Sequence, residues 1–167
     1  MDLITGAEVT VSRTVAVPID RMWELVTAIE RYGEWSPETV GGHWLDDARE
    51  PAVWARFAGH NRFPSGFESR VTCVVIAAER PAAFAWVVPD EAGVVGSTWR
   101  YELRAGHQPG TTVVRHSFTH GPGVTGARVE GETDPRTFEE RLITILRNMT
   151  TTINAMTTSD NRIGAVR

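Results

Sequence analysis

The sequence predicts an α+β fold, a wide twisted antiparallel sheet crossed by one long C-terminal helix, with a small-molecule cavity between them. Two observations carry this expectation. Almost every apolar run between Gly41 and His120 reads as strand, and the final long segment sets Phe138, Leu142, Ile145, Leu146, Met149, Ile153 and Met156 on one helical stripe. A single helix cannot fill the concave side of such a sheet, so a hollow is expected where a helical bundle would have a solid core.

The strands follow from period-two alternation. In Glu8 to Val17, Val9, Val11, Arg13, Val15 and Val17 share one face, which marks a half-buried first strand. Pro18 ends the pairing. Asp20 is placed to cap a helix carrying Met22, Trp23, Val26 and Ile29 to about Glu30, and Tyr32 to Pro37 makes a second short helix or turn. Trp44-Leu45 and Val53 to Arg62 read as strands either side of an Asp46-Asp47 turn. From Phe67 the inward set is Phe67, Ser69, Val71, Cys73 and Val75. Ala82 to Val88 and Ser97 to Arg104 continue the pattern, the latter with Trp99, Tyr101 and Leu103 on one side, and Thr111 to about His120 is the last strand. A glycine-rich loop from Gly121 to Gly131 then leads to the terminal helix, which opens at Asp134-Pro135, and the tail after Thr158 is expected to be mobile.

Length and composition suit one domain over residues 1–167: the chain is 41% hydrophobic and 23% charged, with no internal repeat or linker. No stretch has the uncharged apolar length of a membrane span, and Met1 to Gly6 lacks the basic flank and apolar core of a signal peptide, so a cytoplasmic location is expected. Cys73 is the single cysteine, which excludes an intrachain disulfide and a multi-cysteine zinc site. A net charge of −4 argues against nucleic acid as a partner. All 17 basic residues are arginine, so lysine Schiff-base chemistry is excluded.

Several segments carry a resemblance to a known family. Ala16-Val17-Pro18, Met22-Trp23-Glu24 and Ile29-Glu30 ahead of Trp35 resemble the opening of the START-like superfamily, the SRPBCC proteins, in its polyketide cyclase and aromatase branch. Phe57 to Arg62, Phe84-Ala85-Trp86, Thr98 to Leu103 and Gly110 to Val113 resemble its recurrent segments, in the same order. The resemblance implies a helix-grip fold, with a seven-stranded sheet, two short helices after the first strand and the long terminal helix over the concavity. It implies less about activity, because members bind varied hydrophobic ligands and only some catalyse a reaction.

On the pattern the resemblance suggests, Thr111 and Val113 face inward, and period two then carries Arg115, Ser117 and Thr119 into the cavity. A register shifted by one would instead turn Arg115 to solvent and put Val114, His116 and Phe118 inside. The inward Arg115 would orient a ligand carboxylate or enolate, or stabilise an oxyanion during an aldol-type cyclisation. Tyr101 would donate to a ligand carbonyl or act as a weak acid. Phe57, Phe67, Trp86 and Trp99 would form apolar walls, Ser69 and Ser117 would add hydroxyls, and Trp35 would stand at the entrance. Met149 and Ile153 would face the cavity from the terminal helix. For each aromatic taken singly, core filling competes with ligand contact.

His116 and His120 are expected at the surface, and four strand residues span about 13 Å, too far for the two to share a metal ion. No metal and no cofactor is expected. The leading expectation is binding of a hydrophobic, aromatic or polyketide-like small molecule by a monomer or homodimer. The alternatives are a cofactor-free cyclase, aromatase or dehydratase, and a partner-binding regulator with a vestigial pocket. With no carboxylate or histidine clearly inward, binding is favoured over turnover.

Overall fold

The computed structural model describes residues 1–165. Seven strands form one sheet in the order β1-β7-β6-β5-β4-β3-β2, and every neighbouring pair is antiparallel. The strands are β1 (Glu8–Val15), β2 (Thr39–Trp44), β3 (Arg56–Arg62), β4 (Glu68–Glu79), β5 (Ala83–Pro89), β6 (Val95–Ala105) and β7 (Thr112–His120). Between β1 and β2 lie α1 (Ile19–Thr27) and a 3-10 turn, Ile29–Glu34; after β7 come α2 (Gly126–Thr133) and α3 (Pro135–Ala165). The helix-grip architecture implied by the resemblance is present.

Helix α1 forms because Met22, Trp23, Leu25 and Val26 recur at helical spacing and bury one face; Pro18 sits at its N-cap, and no side chain makes the cap bond expected of Asp20. The 3-10 turn lies against β2 at close range. A Cβ on Gly33 would collide with the Val40 carbonyl oxygen, so only glycine permits that approach.

Within the stretch to Gly131 expected as loop, the chain turns helical at Gly126 and forms α2 through Thr133. The Thr125 side chain accepts from the Arg128 backbone N–H at 3.0 Å, an N-cap that outweighs the two glycines within the helix. Arg128 is buried yet satisfied, donating to the Gly121 and Gly123 carbonyls and to Thr5 Oγ1. The tail after Thr158, expected to be mobile, is helical through Ala165 as part of α3, and residues 166–167 lie outside the described residues.

The core lies between the inner face of the sheet and α3. Met22, Leu25, Phe84, Ile153 and Met156 have almost no contact with solvent, and each fully buried apolar side chain of this size contributes about 1.5–3 kcal/mol. The core does not close everywhere. Beside β3 to β6 a pocket of about 260 Å³ remains under the middle of α3.

Candidate ligand pocket

The pocket walls come from alternate residues of adjacent strands. In β3, Phe57, Gly59 and Asn61 point inward; in β4, Ser69, Val71 and Cys73; in β6, Ser97, Trp99 and Tyr101; and β7 contributes His116. Trp86 of β5 is the hub of the aromatic wall, stacked on Trp99 with ring centroids 6.4 Å apart and meeting Phe57 edge-on at 5.7 Å. Ile145 and Met149 of α3 form the roof, and Tyr32 of the 3-10 turn closes one end.

Six side chains expected at the site lie on the pocket: Phe57, Ser69, Trp86, Trp99, Tyr101 and Met149. Five do not. Arg115 sits on the outer face of the sheet, its side chain 48% exposed, bonded to Glu102 at 3.0 Å and 3.9 Å from Glu8. The register of β7 is the shifted one: Val114, His116 and Phe118 face inward, paired with Leu103, Tyr101 and Trp99. The physical reason is aromatic burial. Phe118 and His116 reach the core beside the rings of β6, whereas the other register would bury a guanidinium and expose Phe118.

Ser117 shares the outer face with Arg115, opposite Thr10 and Arg100. Phe67 precedes β4, is 65% exposed, and stacks on Phe63 at the hairpin end. Trp35, expected at the entrance, is instead buried beside Tyr32 under the Arg31 guanidinium, and Tyr32 lines the pocket in its stead. Ile153 packs in the solid part of the core beyond the void.

His116 and His120 were expected at the surface; both are buried, and His116 is 4% exposed. The His116 ring lies flat on Tyr101, with centroids 3.7 Å apart and planes 1° from parallel. Its Nδ1 is 2.9 Å from the Arg100 carbonyl oxygen, which can only accept, so Nδ1 carries the proton and Nε2 holds a bare lone pair. Burial, partly offset by that carbonyl, moves the His116 pKa down to about 4, and the imidazole is neutral at physiological pH. Burial also drives the Tyr101 phenol well above its ordinary range and the Cys73 thiol up to about 12. Tyr101 is therefore a hydrogen-bond donor rather than an acid, and Cys73 an inert wall residue.

A polar cluster frames the mouth. Arg141 of α3 grips Glu38 with two bonds of 2.5 and 2.9 Å, Asn148 adds a longer one at 3.4 Å, and the Arg141 guanidinium lies 5.4 Å over the Phe63 ring. Along one wall Thr39 donates to Asn61 at 3.1 Å, and Asn61 donates to Ser69 at 3.3 Å. Arg141 and Glu38 were not foreseen, because the pairing joins residues 103 apart in sequence and leaves no local periodic signal. His116 had a signal: its place two residues from a large aromatic, Phe118, and so on the same face of the strand. Among the described residues no group of three or more metal-ligating side chains occurs, and no helix is long and apolar enough to cross a membrane.

An antiparallel sheet gripped by a C-terminal helix over an aromatic-lined pocket defines the class, a helix-grip protein. The family model described as "Polyketide cyclase / dehydrase and lipid transport" matches residues 6–154, and the chain belongs to that family. No curated protein matches the chain. Among solved structures, a Polyketide_cyc-like protein of Corynebacterium glutamicum is 28% identical, with 95% of this chain and 91% of that one covered and a TM-score of 0.59. Proteins of Nitrosomonas europaea (14% identity, 99% of both chains, TM-score 0.66) and Thermus thermophilus (15%, 91% and 95%, TM-score 0.66) share the fold.

Proposed function

We propose that the protein binds a hydrophobic, planar, aromatic or polyketide-like small molecule in the pocket. The supporting observation is the aromatic wall of Phe57, Trp86, Trp99 and Tyr101 around a void of about 260 Å³. That volume of about 260 Å³ falls just below the usual range for ligand pockets, about 300–1,000 Å³, and suits a few fused rings better than a long acyl chain. The family description is consistent with such a ligand.

The test is calorimetric titration of the purified full chain with 2-methylnaphthalene. Saturable binding of one molecule per chain is expected, lost in Gly59→Leu. The Gly59 Cβ position has ordinary contacts with Val71 at 3.4 Å and Cys73 at 3.9 Å, so the longer side chain would grow into the void without striking backbone. Absence of saturable binding, or binding unchanged in the filled variant, would contradict the reading.

A second reading, a cofactor-free cyclase, aromatase or dehydratase, is favoured by one observation, the bare Nε2 of His116 on the pocket. Enclosure would fold a flexible chain so that its reacting carbons meet. Nε2 would take the proton from a carbon flanked by two carbonyls, and Tyr101 would donate to the carbonyl oxygen that gains charge. Incubation with a poly-β-ketone, followed by mass spectrometry for loss of water, distinguishes turnover from binding.

A further inference from the structure

We propose that Tyr101 and His116 form a hydroxyl-reading site, in which His116 Nε2 accepts the O–H of a neutral phenolic or enolic ligand and the Tyr101 hydroxyl is offered to ligand oxygen. The proposal rests on the pocket reading above and specifies the ligand class.

Three observations lead to it. The first is tautomer: Nδ1 is committed to the Arg100 carbonyl, so Nε2 can only accept. The second is access. Among the described residues, neither Nε2 of His116 nor the Tyr101 hydroxyl has a protein partner, and the buried polar side-chain atoms left unpaired are those of Trp35 and His60. Both residues line the pocket and are otherwise shielded, His116 4% and Tyr101 1% exposed, so a ligand in the pocket is the partner within their reach. The third is charge. Arg141, the cation at the mouth, is held by both oxygens of Glu38, so among the described residues the pocket offers no free positive charge to a carboxylate. A neutral ligand with a hydroxyl proton satisfies Nε2 without such a charge. Flat contact with Tyr101 and strand-fixed backbone hold the imidazole in place before the ligand arrives, which reduces the ordering cost of binding.

The experiment compares 2-naphthol with 2-methylnaphthalene, nearly identical in shape, by calorimetry on the full chain. A site built to bond a hydroxyl leaves Nε2 unpaired with the methyl analogue, so naphthol is expected to bind at least about tenfold more tightly. In His116→Phe, which keeps a stacked ring, that preference should collapse. If the variant does not fold, the wild-type imidazole serves alone: in ¹⁵N-labelled protein the Nε2 resonance of His116 should shift upfield, away from the bare lone-pair position, on adding 2-naphthol and stay unmoved on adding 2-methylnaphthalene. Equal binding of the two probes with an unmoved resonance would overturn the hydroxyl site and leave the pocket standing. A naphthol preference that survives His116→Phe would place hydroxyl recognition elsewhere. Failure of both probes to bind would overturn the pocket reading and this proposal with it.

Discussion

His116 carries the most consequence for a single side chain. Its folded pKa, about 4, lies below the value near 6.5 of an exposed imidazole. Between these values the unfolded chain binds the proton and the folded chain does not, so stability is complete above about pH 6.5 and falls as the pH is lowered towards 4. The depression corresponds to about 3 kcal/mol at the acid end, and His116→Phe should remove that slope in urea titrations across the window. His120 is shifted down in the same direction by burial, so a shallower slope should persist in the variant. Arg115 makes the opposite case. Half-exposed and paired with Glu102 on the outer face, it should cost less than about 1 kcal/mol when changed to Ala, with 2-methylnaphthalene affinity unaltered. A loss of binding on Arg115→Ala would mean that β7 is turned the other way. These two residues show what the strand pattern withholds. Thr111 to His120 alternates polar and apolar residues weakly on both faces, so the choice of face rests on the neighbouring strands, which a single sequence does not place beside it.

Helix α3 joins the roof of the pocket to its mouth. Ile153 packs with no exposed surface in the solid core, and Ile153→Ala should lower unfolding free energy by about 2–5 kcal/mol in chemical denaturation. One turn from the roof residue Ile145, Arg141 ties α3 to Glu38 just ahead of β2. Both side chains are mostly shielded from water, so Glu38→Gln leaves a poorly compensated guanidinium and should cost about 1–3 kcal/mol. The same change should free Arg141 for an anion. Calorimetry with 2-naphthoate is expected to show binding to Glu38→Gln and little to the unaltered chain. Elements with strong periodicity were legible from sequence: β1, β4, α1 and the stripe of α3 lie close to where alternation and helical spacing put them, except Leu146, which faces solvent at the edge of the stripe. Helix α2 was hidden because Gly126 and Gly131 read as loop, while the deciding features, the Thr125 cap and the tertiary bonds of Arg128, come from the folded chain.

At the scale of the whole molecule, one geometric fact organises the rest. Seven strands bend around a helix that touches the sheet along only part of its width, and the uncovered part is walled by rings from β3, β5, β6 and β7. That hollow was legible because sheet curvature and a lone closing helix follow from residue periodicity alone. The aromatic members Phe57, Trp86, Trp99 and Tyr101 were legible for the same reason. The polar members His116, Glu38 and Arg141 were not, since their roles depend on strand register and on contacts across the whole chain. The most direct test of the central claim is a crystal soaked with 2-bromonaphthalene, with anomalous diffraction recorded at the bromine edge. The account predicts one bromine peak inside the space bounded by Trp86, Trp99, His116 and Met149. An interior filled by side chains, with bromine only on the outer surface, would contradict it.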